Sequence, residues 1–374
     1  MDIETPAALI DERRMAGNIA RMQTHLAALG VRLRPHVKTS KCVEVARAQQ
    51  QAGAAGITVS TLKEAEQFFA AGFSDMLYAV CIAPDKLDRA VALIRNGCSL
   101  TLLVDSVTAA EAVVAKGKAT GLTFAVMIEI DSDGHRSGVQ PEAPELIKIG
   151  QVLQTGGATV KGVLTHAGSS YDLDTPAALQ ALAEQERALC VRAAERLRAV
   201  GIACPEVSIG STPTAIAAQN LEGVTEVRAG VYVFFDLVMS NVGVCTPRDV
   251  ALSVLTTVIG HQPEKGWVIV DAGWMAMSRD RGTQRQKIDY GYGAVCDVDG
   301  NVIDGLIVSG ANQEHGIVSR RNGSADESLV ERFPIGARLR ILPNHACATG
   351  AQYPSYLAVS SAGDATPWPR FQGW

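Results

Sequence analysis

The sequence lacks several features that define whole classes of protein. Its eight cysteines are scattered without a CxxC pair or a regular framework, which favours a reducing compartment over secretion. No apolar run approaches the length of a membrane span, and the charged start MDIETPAALIDERRM has no signal-peptide core. The net charge is −5 and no Lys/Arg cluster forms a stripe, which argues against nucleic acid and membranes as partners. We therefore expect a soluble cytoplasmic protein with a metabolic role.

The chain contains short β-type runs that alternate with helical patterns. With 374 residues, 47% of them hydrophobic, it can bury a large core. Segments such as 61–72 and 83–97 have apolar residues at helical spacing and end on glycine. In the longest helical segment, 175–201, Thr175 is a plausible N-cap and Pro176 the first helical residue. The predicted strands are 32–38, 56–60, 75–80, 100–105, 123–131, 160–168, 206–212 and 224–233.

Eight strands separated by helices predict a (β/α)8 barrel, ahead of a doubly wound open sheet. After about residue 245 the pattern changes to β-rich segments and tight turns with almost no amphipathic helix. We therefore expect an α/β barrel over residues 1–245 and an all-β domain over residues 246–374, which the first residues of the chain could also join.

Polar residues cluster at the predicted C-terminal strand ends, where barrel enzymes place their catalytic groups. Lys38 ends strand one, and a lysine there is either a solvated charge or a buried amine able to form a Schiff base. A Gly-Ser-Thr turn ends strand seven before a helical segment and suits a phosphate group. A lysine opposite a phosphate site is what pyridoxal phosphate requires. The residues on this rim are Lys38, Arg136, His166, Tyr171, Gly210, Ser211, Thr212, Gly230 and Tyr232.

Each of these residues also has a structural interpretation when taken alone. His166 is more typical of a core histidine than of a catalytic one, and Gly-Ser-Thr is a common turn. Arg136 could form a structural ion pair, and Tyr171 could serve packing. Only their joint placement on one rim favours a cofactor site.

A second constellation, Pro343-Asn344-His345-Ala346-Cys347, lies in the β-rich part. Residues two apart on a strand point to the same face, so His345 and Cys347 could share one zinc ion. Two protein ligands are too few for a closed structural site, so this would be an open site completed by water and substrate. The alternative is a buried strand cysteine without a metal.

Together these motifs resemble the D-serine dehydratase/D-threonine aldolase family, a pyridoxal-phosphate group with an alanine-racemase-like barrel and a C-terminal β domain. The resemblance rests on RPHVKTSK, DSDGHRSG, THAGSSY, GSTPT, EVRAGVYVFFD, QEHG and PNHACATGAQ, and covers essentially the whole chain. It implies that Lys38 carries the cofactor as a Schiff base and takes part in catalysis. It also implies that His345 and Cys347 bind a divalent metal, with zinc as the first expectation and magnesium or manganese as alternatives.

The resemblance implies a lyase that removes water from a D-3-hydroxy amino acid, D-threo-3-hydroxyaspartate or D-serine, to give a 2-oxo acid and ammonia. Cysteine at position 347 tilts the expectation toward dehydratases, while an aldolase giving glycine and an aldehyde and a non-catalytic cofactor carrier stay open. The resemblance also implies a homodimer.

A 3-hydroxyaspartate substrate needs a cation for its second carboxylate. The candidates are Arg279, Arg281 and Arg285 on an unassigned loop, with His36 and His315 as alternatives and a solvated basic loop as the structural interpretation.

Overall fold

The computed structural model describes residues 3–374 and divides into two compact units. The barrel unit comprises Arg21–Gly230 with Gly373–Trp374, and the β unit comprises the chain through Ala20 with Val231–Gln372. The first elements are β1 (Ala7–Asp11) and α1 (Glu12–Ala28). The predicted boundary at residue 245 between two independently folding domains stays a prediction.

The barrel unit contains eight parallel strands in one sheet, ordered β2-β9-β8-β7-β6-β5-β4-β3. A parallel bridge between His36 and Thr58 joins the segment after β2 to β3. The predicted eight-stranded α/β barrel is therefore confirmed. Its strands are β2 (Arg32–Leu33), β3 (Ile57–Val59), β4 (Asp75–Cys81), β5 (Ser99–Val104), β6 (Ala125–Ile130), β7 (Thr159–Thr165), β8 (Glu206–Ile209) and β9 (Glu226–Val227).

Helices follow the strands along the chain of the barrel unit. Thr175 caps α7 by accepting a hydrogen bond from the Ala178 N–H, and Pro176 is its first residue, as predicted. The helices are α2 (Val43–Gln51), α3 (Leu62–Ala70), α4 (Leu87–Arg95), α5 (Val107–Thr120), α6 (Pro144–Thr155), α7 (Pro176–Ala199) and α8 (Thr212–Ala217).

The strands that carry the predicted site are shorter than predicted. The run predicted as strand 32–38 ends at Leu33, because Pro35 has no N–H to continue the ladder and residues 37–40 form a turn. The last barrel strand ends at Val227, so Gly230 follows it rather than lying within it. Lys38, His166 and the Gly210–Ser211 turn therefore lie in the loops just after their strands.

The β unit is a nine-stranded sheet, ordered β11-β14-β13-β12-β15-β10-β1-β16-β17. Because β10 also pairs with β11, six of these strands close into a barrel, and β1 joins it through antiparallel pairing with β10. The predicted C-terminal all-β architecture is confirmed. Its further strands are β10 (Leu252–Gln262), β11 (Trp267–Val270), β12 (Gly293–Cys296), β13 (Val302–Ala311), β14 (Gly316–Arg320), β15 (Arg338–Pro343), β16 (Ser355–Val359) and β17 (Ala365–Pro369).

Helices in the rest of the β unit are short. They are α9 (Leu237–Val242), α10 (Trp274–Met277), α11 (Ser328–Arg332) and α12 (Ala346–Gly350). Across residues 3–374, no helix combines the length and the apolar composition needed to cross a bilayer.

Candidate active site

Lys38 lies in a tight turn after β2. The Val37 N–H donates to the Thr58 carbonyl (2.9 Å), and the Lys41 N–H donates back to the Val37 carbonyl (2.8 Å). Lys41 closes the turn at φ +46, a conformation that costs a non-glycine residue energy, and its Nζ lies 3.1 Å from the buried Glu64 carboxylate. The Lys38 side chain itself is exposed, so the structure does not show the buried amine that the sequence allowed. The turn holds its backbone in place and leaves the amine accessible.

Two histidines and a buried arginine share the electrostatic environment of Lys38. Burial lowers the pKa of His36 well below its usual range, and the charges of Lys38 and Arg228 lower it further. Burial likewise lowers the pKa of His166 to about 3, against a partly compensating hydrogen bond to Gly210. Both imidazoles are therefore neutral at physiological pH. We call Lys38, His36, His166 and Arg228 the basic cluster.

The neutral His166 ring has a defined tautomer. Its Nδ1 lies 2.9 Å from the Gly210 carbonyl oxygen, and a carbonyl can only accept, so Nδ1 carries the proton. Nε2 then presents a lone pair. The Tyr171 ring lies 6.4 Å away between centroids, so the structure brings these two predicted residues together.

The Gly-Ser-Thr turn is built as a helix cap. Ser211 caps α8 in a capping box with Thr214, and its hydroxyl also lies 2.9 Å from that of Ser170. Gly210 has φ +132, and a Cβ there would lie 2.2 Å from the Arg228 carbonyl oxygen. Only glycine fits at this position. The Ser211 hydroxyl, predicted to donate to a phosphate, is thus also engaged within the turn.

The other predicted rim residues are distributed over both units. Gly230 ends the barrel unit, where an added Cβ would lie 3.1 Å from the His36 carbonyl oxygen and from the Thr39 hydroxyl. Tyr232 belongs to the β unit and is fully buried. Their predicted roles stay predictions.

Arg136 is exposed and lies 3.5 Å from the buried Glu129 carboxylate. Glu129 also accepts hydrogen bonds from the Cys81 thiol (3.1 Å) and the Ser137 hydroxyl (3.1 Å). Within residues 3–374, one group of three His, Cys, Asp or Glu side chains has its ligand atoms close enough to share a metal ion. The group is Cys81, Asp105 and Glu129, whose ligand atoms lie within 4.8 Å of one another. Since Glu129 already has these partners, the set is a hydrogen-bonded network that holds Arg136 at the rim.

Sequence reasoning missed Arg228. Its side chain is buried, with Nε donating to the Ser208 hydroxyl (2.9 Å) and Nη2 donating to the Thr165 carbonyl. Burial lowers the pKa of this guanidinium. The signal in the sequence was an arginine inside the β-type run VTEVRAGVYV. Burying a charged side chain costs free energy unless it is paired or hydrogen-bonded, so a charge in such a run indicates a specific role.

The basic cluster fits pyridoxal phosphate, the cofactor that the family resemblance implies. Lys38 and Arg228 are cations able to attract a phosphate group, and two neutral imidazoles offer hydrogen-bonding nitrogens. His36 Nδ1 is buried and finds no hydrogen-bond partner within residues 3–374, as expected where a ligand group completes the site. An accessible lysine amine beside these groups completes the set that the cofactor requires.

His345 and Cys347 come together in a different way from that predicted. They do not share a strand, because β15 ends at Pro343 and Cys347 lies in the first turn of α12. His345 is the extended residue before that helix, and its ring is hydrogen-bonded to the Cys347 side chain. The prediction of one strand was wrong, but the two side chains meet across the helix start.

Asp280, which sequence reasoning also missed, orients His345. Its Oδ2 lies 2.8 Å from His345 Nδ1, which leaves Nε2 as the metal-facing nitrogen of a carboxylate–histidine pair. Burial lowers the pKa of His345, but Asp280 and Cys347 outweigh it and raise this pKa to about 11. Asn344 fixes the loop, donating to the carbonyls of Asp280 (3.1 Å) and Gly291 (2.7 Å).

The donor set of one imidazole nitrogen and one thiolate suits a borderline-soft divalent metal such as zinc. The oriented His345 ring has the arrangement typical of metal-binding histidines. These residues therefore fit the implied metal, as two ligands of an open site.

The candidate residues for a distal carboxylate are also located. Arg279 stacks on Trp274, 5.0 Å from the ring centroid. Arg281 pairs with Asp289 (3.1 Å) and lines an open cleft of about 450 Å³ together with Lys287 and Arg321. Arg285 and His315 are exposed. Of the loop arginines, Arg281 is the one that lines a described cleft.

The chain matches two family models in succession. The model described as "Alanine racemase, N-terminal domain" matches residues 10–238, and "Putative serine dehydratase domain" matches residues 251–359. The chain is 66% identical to D-threo-3-hydroxyaspartate dehydratase of Delftia sp. strain HT23, over 100% of this chain and 99% of that one. It is 30% identical to a D-serine dehydratase of Dictyostelium discoideum, over 96% and 94% of the two chains.

Solved structures agree with these matches. The structure of the Delftia dehydratase superposes with a TM-score of 0.99, covering 100% of this chain and 99% of that chain at 66% identity. Another structure of that enzyme is of a variant with a cysteine replaced by alanine, described as the metal-free form. On this evidence the chain belongs to the D-serine dehydratase/D-threonine aldolase family, with an alanine-racemase-type barrel followed by a serine dehydratase domain.

Proposed function

We propose that the protein is a pyridoxal-phosphate- and metal-dependent lyase that removes water from a D-3-hydroxy amino acid. The substrates are D-threo-3-hydroxyaspartate, D-serine or both, and the products are a 2-oxo acid and ammonia. The observation that carries this proposal is the full-length 66% identity to the Delftia dehydratase.

We assign the cofactor to the barrel-side residues. Lys38 would hold the cofactor covalently through its amine nitrogen, and the rim residues would supply the remaining contacts. When bound, pyridoxal phosphate supplies an electron sink for the bond that breaks at the substrate Cα. The residues that would hold it are Lys38, Arg136, His166, Tyr171, Gly210, Ser211, Thr212, Gly230 and Tyr232.

Different residues of the chain would transfer protons and bind the anionic groups. Lys38, exposed at the end of its turn, would take the α-proton with its amine nitrogen, which must be neutral to accept it. His166 keeps its own proton on Nδ1 and so offers Nε2 as an acceptor. Arg228 and Lys38 make the rim electropositive, which favours an anionic cofactor and an amino-acid carboxylate.

We assign the metal to His345 Nε2 and the Cys347 thiolate, and we infer that it is zinc, because these donors suit zinc better than magnesium or manganese. When bound, the metal supplies a Lewis acid for the departing hydroxyl group. Asp280 holds the His345 ring by its Nδ1–H and so aims Nε2 at the metal position.

We also infer a homodimer in the cytoplasm. None of the eight cysteines forms a disulfide within residues 3–374, which supports a reducing compartment.

The test is product analysis with D-serine, D-threo-3-hydroxyaspartate and D-threonine, each with added zinc and with a chelator. Ammonia plus pyruvate from D-serine, or plus oxaloacetate from the hydroxyaspartate, is expected with zinc and should fall with the chelator. Glycine plus an aldehyde would contradict the dehydratase proposal in favour of an aldolase. No turnover of any substrate would contradict an enzymatic role and favour a cofactor carrier.

A further inference from the structure

Glu186 is a buried carboxylate that the proposed mechanism does not use. It lies on α7, the helix between β7 and β8, and its side chain is 1% exposed. A carboxylate is costly to bury, and apolar packing usually serves stability at least as well at a helix–sheet interface. Its presence therefore calls for a role other than packing.

The Glu186 carboxylate joins the ends of two strands. Its Oε1 accepts hydrogen bonds from the backbone N–H groups of Ala167 (3.0 Å) and Gly210 (3.1 Å). Ala167 directly follows His166, and Gly210 directly precedes Ser211. One oxygen atom thus sets the spacing between two parts of the proposed cofactor site.

The same contacts extend to the His166 ring. Both backbone polar groups of Gly210 are hydrogen-bonded. Its N–H donates to Glu186, and its carbonyl oxygen accepts from His166 Nδ1 (2.9 Å). At Gly210, where φ is +132, the backbone passes close to Arg228, since an added Cβ would lie 2.2 Å from the Arg228 carbonyl oxygen. A shift of Glu186 would therefore move the His166 ring and the cap of α8 together.

The second carboxylate oxygen is unused. Oε2 is buried and finds no hydrogen-bond partner within residues 3–374. Burial raises the pKa of Glu186, and interactions with the Thr214 hydroxyl and with the Ala167 and Gly210 amides oppose this only in part. The carboxylate therefore acts through the single oxygen that reaches both backbone amides.

We propose that Glu186 is a positioning residue that holds His166 and the Ser211–Thr212 turn at the separation required to bind the cofactor. The proposal rests on the proposed function, since it assigns these two parts to one pyridoxal phosphate. It predicts that the reach of the side chain matters more than its charge.

Two variants separate reach from charge. Glu186→Gln keeps the length and an acceptor oxygen, whereas Glu186→Asp keeps the charge but is one methylene too short to reach both amides. The measurement is the dissociation constant of pyridoxal phosphate for the full-length cofactor-free protein, with the thermal midpoint of each variant recorded. Glu184→Asp, on the same helix but half-exposed and paired with Arg187, is the matched control.

The expected order follows from the lost hydrogen bonds. Glu186→Asp should weaken cofactor binding about tenfold, since its shorter side chain cannot reach both amides, while Glu186→Gln keeps an acceptor oxygen within reach of both and should stay within about threefold of wild type. Glu184→Asp should match wild type. Two folded Glu186 variants with wild-type affinity would overturn the proposal, and so would weaker binding in Glu186→Gln than in Glu186→Asp.

The outcome for the wild-type protein separates the two proposals. If wild-type protein forms no Schiff-base absorbance band with pyridoxal phosphate, the proposed function fails. If wild type binds the cofactor and Glu186→Asp binds it equally well, only the positioning role fails.

Discussion

Replacing Gly210 by alanine should destabilise the protein more than an ordinary Gly→Ala change at positive φ. At φ +132 an alanine adopts a conformation that L-residues rarely take, which costs about 1–2 kcal/mol. Its Cβ would lie 2.2 Å from the Arg228 carbonyl oxygen and 3.0 Å from the Arg228 nitrogen. These are backbone atoms that cannot turn aside, and such overpacking costs about 1–3 kcal/mol more.

The expected total is about 2–5 kcal/mol, and about 1 kcal/mol lowers the melting temperature of a domain of this size by about 2–4 °C. We therefore expect the thermal midpoint of Gly210→Ala, measured by circular dichroism on the cofactor-free protein, to fall by about 10 °C. The Gly210 carbonyl also holds His166, so this variant should retain less pyridoxal phosphate on gel filtration.

Gly97→Ala is the matched control. Gly97 has φ +98, but an added Cβ would have no atom within 4 Å, so the variant bears only the conformational cost. Its midpoint should fall by about 2–8 °C, and its cofactor content should not change. Equal losses of stability in the two variants would refute the argument, because the contact with the Arg228 backbone would then contribute nothing.

Three further outcomes are expected. Lys38→Ala should lose the Schiff-base absorbance band that wild type forms with pyridoxal phosphate, and persistence of the band would remove Lys38 from that role. Arg281→Ala should lower kcat/KM for D-threo-3-hydroxyaspartate about tenfold or more while leaving D-serine nearly unchanged, because only the former has a second carboxylate to pair with the guanidinium; an unchanged substrate preference would contradict this. His166→Gln should flatten the fall in stability of the cofactor-free protein below pH 6.5. The folded-state pKa of His166, about 3, lies below its unfolded value, so between these two values the unfolded chain binds the extra proton. The free energy of unfolding therefore drops as pH falls through this window, by at most about 1.4 kcal/mol per pH unit. Thermal midpoints from pH 4 to 7 that have the same slope in both proteins would refute it.

The order of the barrel strands could be predicted because each strand is an apolar run between helical patterns. The middle residues of runs such as 75–80 and 100–105, for example Met76, Leu77 and Tyr78, are buried on both faces in a parallel sheet, which leaves a strong signal in the residue pattern. The ends of the strands could not be predicted in the same way. At Pro35 the regular pairing is interrupted for want of an N–H, although backbone hydrogen bonds to the neighbouring strands continue as far as Val37.

The His-x-Cys pair shows how a correct juxtaposition can follow from a wrong local structure. Spacing of two residues puts side chains on one face of a strand, and this was the reason for pairing His345 with Cys347. The chain instead begins α12 at Ala346, and the two side chains meet at the helix start. The pattern alone does not distinguish these conformations.

The supporting residues were missed for a common reason. Asp280 lies 65 positions before His345 in the chain, and Glu186 lies 24 positions before Gly210. Such partners are chosen by the tertiary fold, and a single acidic residue on a loop or a helix has no local mark of its role. A buried charge can be recognised only once burial is known.

The buried Arg228 connects these observations to the chemistry of the rim. Within residues 3–374 its Nε reaches Glu226 through the Ser208 hydroxyl, by bonds of 2.9 and 2.8 Å, and not through a direct ion pair. Glu226 is in turn shared with Arg34 (2.8 Å). The positive charge of Arg228 is thus only partly compensated, and it helps to keep His36 and His166 neutral. If Arg228 formed a direct ion pair with a carboxylate, these imidazoles would be easier to protonate. The rim would then lose part of the attraction for a phosphate group, while burial, the largest cause, would still keep both imidazoles neutral. The indirect pairing through Ser208 therefore leaves more positive charge available to attract the phosphate group.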